Sequence, residues 1–252
     1  MSGASFWLAG LFLPVFPLSM VFNALFARVR NGTLRAVLLL VWPQIGLGLV
    51  LAAPRPVPAW LLVLALFTAA LYAFRAIGLR EVGQWVGYLA TSGWVLLWVA
   101  LANRASPELL HLYALAFSVP LVLVALLGAR LEEHFGAAYT GLYGGLAQLV
   151  PRTAGVLVCV VLAAVAAPLS PSFFAMLATV VAMTPASPWA ALALVGIWLL
   201  WSWAGVRLLQ GLVVGPADGL QAPDLGLLST WVYAAVLVVM LGGGFYLAGG
   251  AL

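Results

Sequence analysis

Lysine is absent from this 252-residue chain, and the remaining charge is sparse: ten arginines and six acids, only 6% of residues. A soluble domain cannot cover its surface with so few ionised groups. With 66% hydrophobic residues and a mean hydropathy of +1.19, soluble and disordered classes are excluded. Cysteine is confined to Cys159, within an apolar run, so no intrachain disulfide exists, and it reads as a small packing residue. Histidine occurs only as His111 and His134, and no ligand spacing surrounds either, so no metal site or cofactor is expected. The six acids are not paired as an acid–base or metal motif would require, which disfavours a small membrane transferase and leaves no catalytic residue to name. A cleavable leader is not expected either: the first apolar run is too long and lacks a basic start.

What is present is apolar sequence in lengths that cross a bilayer. A run of roughly 20 apolar residues spans the hydrocarbon core as a helix, and lipid forces backbone polar groups to be satisfied within the segment. The runs are continuous, not alternating, which selects helices over a barrel. The expected fold is an all-α polytopic membrane protein of about nine transmembrane helices, one short or broken, in a single domain over residues 1–252. The spans are read at 6–27, 36–53, 59–76, 84–102, 109–128, 153–168, 171–184, 188–207 and 228–248. The seventh lies between Pro168, Pro171, Pro185 and Pro188 and is expected to be a short or broken helix with irregular backbone buried by its neighbours. Trp7, Trp60, Trp85, Trp189 and Tyr246 fall near predicted ends, where amphipathic rings sit at headgroup level.

Arginine placement sets the orientation. An external amino terminus puts Arg28, Arg30, Arg35, Arg75, Arg80, Arg130 and Arg152 inside, against Arg55, Arg104 and Arg207 outside. The basic pI therefore reflects topology and interfacial anchoring in the lipid bilayer, and nucleic acid is not an expected partner. Residues 129–152 and 208–226 are the least hydrophobic stretches and read as loops. In the first, Glu132-Glu133-His134 has the atoms of a metal site, but successive helical residues diverge and no second cluster completes a ligand set. In the second, Asp218 and Asp224 read as helix caps.

From about Ala65 the order of features resembles the antiporter-like membrane subunits of respiratory complex I, Mrp-type antiporters and membrane hydrogenases. Leu79-Arg80-Glu81-Val82-Gly83-Gln84-Trp85-Val86-Gly87-Tyr88 resembles that family's D-x-K-R-x-x-A-Y-S-S helix start. Thr91-Ser92-Gly93, His111-Leu112, Gly128, and Gly144-Gly145-Leu146 with Pro151 follow in the family's order. Pro168 to Phe173 resembles the start of its broken helix, and Val206-Arg207-Leu208, Gly215-Pro216 and Asp224-Leu225 complete the series. The resemblance covers residues 65–250 and corresponds to the carboxy-terminal half of a full-length relative.

It implies a subunit of an energy-coupled complex in a bacterial or archaeal cytoplasmic membrane. The partners implied are other membrane subunits, foremost full-length antiporter-like relatives. The parent complex could be a quinone-reducing dehydrogenase, a hydrogenase, an Mrp-type antiporter or an inorganic-carbon uptake system. Yet the family's buried titratable positions are emptied here. Its Lys-Arg reads Gly83-Gln84, its membrane lysine falls between Ser118 and Pro120, and its broken-helix carboxylate falls at Met176. A non-redox role, structural or channel-completing, follows. The rival reading is a self-contained H⁺ or Na⁺ conductor using Arg80, Glu81, Gln84, Thr91, Ser92 and His111. Gln44, Gln148 and Asn23 read as interhelical hydrogen-bonding residues. Gly242, Gly243, Gly244, Gly249 and Gly250 mark a close-packing face for a partner, and Gly141 to Gly145 a second such stretch.

Overall fold

A computed structural model describes residues 3–52, 56–141, 144–216 and 223–251, and among these the regular structure is helical. In chain order the helices are α1 (Gly3–Phe12), α2 (Ser19–Arg28), α3 (Gly32–Leu51), α4 (Ala59–Ile77), α5 (Val82–Val95) and α6 (Leu97–Ala102). Then come α7 (Pro107–Phe135), α8 (Leu146–Leu149), α9 (Pro151–Ala164), α10 (Pro171–Met183), α11 (Pro188–Leu212) and α12 (Leu227–Ala251). Among the described residues six segments are long and apolar enough to cross a membrane: α3, α4, α5 with α6, α7, α11 and α12; α9 and α10 are shorter apolar helices.

Three expected spans are interrupted. The first, read as one helix over 6–27, is two helices parted at Leu13–Leu18, where Pro14 and Pro17 lack the N–H that helix continuation needs. Other helices satisfy the freed backbone: Trp98 Nε1 donates to the Leu13 carbonyl (3.0 Å), and the Phe16 N–H donates to Thr68 Oγ1 (3.0 Å). A turn at Leu96 divides α5 from α6.

The third interruption, after Ala164, carries positive φ at Ala166 (58°) and Leu169 (75°), conformations rarely adopted by side chains with a Cβ. Its carbonyls are also answered by side chains. Ser172 Oγ donates to Ala163 (2.5 Å), Trp198 Nε1 to Ala166 (3.0 Å) and Ser170 Oγ to Ala167 (2.7 Å). The expected short helix after Pro168 is α10, but the irregular backbone is buried only in part: Val165, Ala166 and Ser170 are buried, whereas Pro168 and Leu169 (52%) are exposed. Gly244 permits close approach here, since a Cβ on it would stand 2.9 Å from the Leu169 carbonyl.

Conversely, α7 runs past the expected end at residue 128 to Phe135, so Arg130, Glu132, Glu133 and His134 are helical, not in a loop. Leu and Glu are good helix formers, and Gly136 closes the helix at φ 79°.

Terminal contacts define the two ends of the bundle. The start of α3 lies on the end of α7, joined by Arg35 and Glu132. Glu81 pairs with Tyr139 as an antiparallel bridge, and the Gly141 N–H donates to Gly211 at the end of α11 (3.0 Å). Asp224 accepts from the Arg152 N–H (2.9 Å) and from the Thr153 N–H (3.0 Å), capping α9 from a distance and not α12, its neighbour in sequence. Asp218 lies outside the described residues.

These contacts gather Arg35, Arg80, Arg130, Arg152 and Arg207 at one end. Arg207 was expected opposite Arg80, yet both border the same cleft. The cause is that α10 continues α9 in the same direction: α10 starts where Ala163 is bonded, and Trp198, midway along α11, reaches the break. Two half-helices replace two spans, which reverses the direction assigned to α11. Trp85, read as an interfacial ring, is instead 1% exposed, whereas Trp7, Trp60, Trp189 and Tyr246 are all more than half exposed.

Candidate functional site

The bundle interior holds a layer of small polar side chains at the height of the helix breaks. Asn23 on α2 donates to Thr91 Oγ1 (2.8 Å) and to the Ser19 carbonyl (2.9 Å). Ser19 Oγ donates to the Tyr72 hydroxyl (3.0 Å), and Thr91 Oγ1 donates to the Gly87 carbonyl (2.9 Å). On the other side of α5, Ser92 Oγ donates to the Ala69 carbonyl (2.8 Å) and accepts from Trp201 Nε1 (2.8 Å). Ser118 Oγ accepts from Trp94 Nε1 (2.9 Å). Each group has a partner, as buried polar atoms must where water is excluded. None of these pairs contains a carboxylate, an amine or an imidazole.

The candidate conduction residues do not form one line. Thr91 and Ser92 project about 100° apart on α5, so Thr91 bonds toward α2 while Ser92 bonds toward α4 and α11. His111 meets Gln44 through Nδ1 and Oε1 (2.5 Å), near the opposite end of α7 from Glu132. Arg80 and Glu81, neighbours in sequence, face separate clefts. Extended backbone explains this: residue 81 bridges to Tyr139, and successive side chains in a bridge point opposite ways.

The positions where the resemblance leads one to look for titratable groups are filled otherwise. Met176 is fully buried, and Ser118 is engaged by Trp94. At Gly83 the absent side chain has a consequence: a Cβ would stand 2.9 Å from the Arg35 guanidinium. Arg35 occupies that space from α3, its side chain 3% exposed, with Nε donating to the Val29 carbonyl (2.6 Å) and Nη1 3.1 Å from Glu132 Oε1. It also lies 5.8 Å from the centroid of the Phe26 ring. This is the single salt bridge among the described residues. Its acid was read as part of a solvated loop, and its cation as a topology marker. The available signal was a glycine at 83, at the start of one helix, and a cation at 35 in the first turn of another that is capped by Asn31.

The pair borders a cleft of ≈1110 Å³ that also contains Arg30, Arg130, Glu81, Glu133 and His134. Burial pushes the Glu81 carboxyl above its ordinary range and Glu132 adds to the rise, while Arg35, Gln84 and Arg30 oppose it. A raised native value means that Glu81 contributes stability below the ordinary carboxylate range and loses it as pH rises through the native value. Glu81→Gln is therefore expected to leave the fold intact at neutral pH and to flatten the stability profile between mildly acidic and neutral pH. Thermal unfolding in detergent across that window checks it; a large loss of stability at neutral pH would contradict it. Asp224 behaves oppositely: burial raises it, but hydrogen bonds from Arg152, Thr153 and Leu225 together hold it below the usual range.

Among the glycines of the proposed partner face, Gly242, Gly243 and Gly249 have open space where a Cβ would stand, whereas Gly244 packs internally on Leu169 and Phe174. The surroundings of Gly250 lie outside what the structure describes. Gly144 and Gly145 pack within the chain, against residues 214–216. Among the described residues no group of three or more His, Cys, Asp or Glu is arranged to hold a metal.

No family model matches the chain, and no curated protein matches it in sequence. Solved structures do. A chain of respiratory complex I from Thermus thermophilus superposes with a TM-score of 0.82 at 22% identity, over 100% of this chain and 58% of that one. A chain of the Mrp complex from Dietzia sp. DQ12-45-1b gives 0.80 at 15% identity, over 96% and 56%. A chain of the membrane-bound sulfane sulfur reductase, an archaeal respiratory membrane complex, gives 0.76 at 15%, over 92% and 50%. The likeness thus extends through residues 1–64, which the motif order did not reach. This chain spans 50 to 58% of the length of these three chains, and over that length it has the fold of antiporter-like membrane subunits.

Proposed function

We propose that this chain is a non-redox integral membrane subunit of a proton- or sodium-translocating complex, with a structural or channel-completing role and no ion pathway of its own. The observation that carries this is the interior polar layer, in which Asn23 with Thr91, Trp94 with Ser118 and Trp201 with Ser92 form separate hydrogen-bonded pairs and none is an ionisable side chain. A proton relay through a membrane needs ionisable groups at short intervals, and here the charged residues stand near helix ends, most of them at one end of the bundle. On this reading, and among the described residues, α1–α2, α3, α4, α5–α6, α7, α9–α10, α11 and α12 each make one crossing. Its arginine-rich end faces the cytoplasm of a bacterium or archaeon.

The partner is another membrane subunit, foremost a full-length antiporter-like relative, docking on the outer face of α12. Leu228, Trp231, Val239 and Tyr246 stand exposed there beside Gly243. Without a hydrophobic force between helices in lipid, close packing at small residues drives association. Gly243→Leu should leave the isolated chain folded, because the added side chain meets nothing, yet release the partner in a native-host pull-down. Gly244→Leu should destabilise the isolated chain itself. A pull-down unchanged by Gly243→Leu would remove α12 as the interface.

A further inference from the structure

A second cleft of ≈890 Å³ opens at the arginine-rich end, between the end of α4, the 137–141 segment and the last turns of α11. Arg80 and Arg207 border it, with Gln210, Thr140 and Tyr139 as neutral hydrogen-bonding groups, and no carboxylate lines it. Both arginines are exposed, and among the described residues neither joins a salt bridge. In the neighbouring cleft, by contrast, Arg35 is answered by Glu132. The walls are fixed by backbone: the Thr140 N–H donates to the Arg80 carbonyl (2.8 Å), and the Gly141 N–H donates to Gly211 (3.0 Å). Gly211 allows that approach, since a Cβ would stand 2.7 Å from Thr140 Cβ.

Unopposed cations bordering one preformed cleft select an anion, and charge-assisted hydrogen bonds from arginine suit phosphate oxygens. The surface leading away from the cleft is apolar and exposed: Phe74 (65%) on α4, and Trp203 (59%) and Val206 (49%) on α11, the last adjacent to Arg207. We propose that this cleft binds the phosphate of an anionic phospholipid headgroup, with the acyl chains lying along Phe74, Trp203 and Val206. A free phosphate would use the same arginines but gain nothing from that apolar surface.

The test is native mass spectrometry of the purified full chain, with added phosphatidylglycerol, phosphatidylcholine or inorganic phosphate. Phosphatidylglycerol should be retained well above phosphatidylcholine. Arg80→Gln and Arg207→Gln should each weaken retention about fivefold, and the double variant about 25-fold, as expected for charges of this kind near a membrane surface. Lysine at both positions should restore most of the binding, and Arg104→Gln, at the opposite end, should change nothing. Equal retention of the two lipids, or a double variant that binds as the parent does, would overturn the assignment. Displacement of phosphatidylglycerol by millimolar inorganic phosphate would overturn the lipid as occupant.

Discussion

Replacing Glu132 by alanine should cost the folded chain about 3 kcal/mol, the scale on which a buried ion pair punishes loss of one partner. Arg35 is the reason: its side chain is 3% exposed, and without Glu132 its charge keeps the Val29 carbonyl, the Phe26 ring and the Glu81 carboxyl across the cleft. The partner is the less buried member at 24%, so water relieves part of the penalty and holds the figure at the lower end of the range. Gly83→Leu should act in the same direction, because the new side chain claims the guanidinium's space. Exchanging both charges together, Arg35→Met with Glu132→Leu, should recover most of the loss, since apolar replacement of a whole buried pair is often neutral. Denaturation in detergent distinguishes these outcomes. A single Glu132→Ala variant as stable as the parent would show the pair to be a solvated contact.

The second large effect is expected at Trp201, which is 1% exposed and packs edge-on against Phe117 at 5.8 Å between ring centroids. Its indole donates to Ser92, fastening α11 to α5. Trp201→Ala should cost on the order of 3 kcal/mol or more, mostly as lost packing around the cavity left behind. Trp201→Phe retains the ring contact but removes the donor, and should cost about 1 kcal/mol, the usual value of an interhelical hydrogen bond in lipid. The gap between the two variants, read from unfolding in the same detergent, separates packing from hydrogen bonding. Equal losses would mean that the hydrogen bond, not the ring, joins the helices.

Much of the architecture was legible in the sequence because lipid simplifies the problem. Apolar runs gave helices wherever they were long, and Pro168 and Pro171 announced the break before α10. What the pattern did not reveal was direction. A short helix between prolines reads equally as a half-helix or as a broken crossing, and only the Ser172 and Trp198 bonds show that α10 carries α9 onward. Pro14 and Pro17 were equally visible, yet the apolar run around them was long enough to pass for one span.

At the site, local sequence suggested that Arg80 and Glu81 act together, and long-range pairing separated them. The residue that fills the gap at Gly83 comes from a helix 48 positions earlier, a juxtaposition that spacing cannot encode. Gly242 to Gly244 look alike in sequence, and only packing distinguishes the buried glycine from its open neighbours.

The most direct test of the central claim is ion flux through the purified chain in liposomes, using internal dyes for H⁺ and Na⁺ under an imposed potential. Flux indistinguishable from that of empty liposomes is expected, with no change on Ser92→Ala or Glu132→Gln. Flux of either ion that those substitutions abolish, with the chain still folded and inserted, would contradict that claim and make this chain a conductor in its own right.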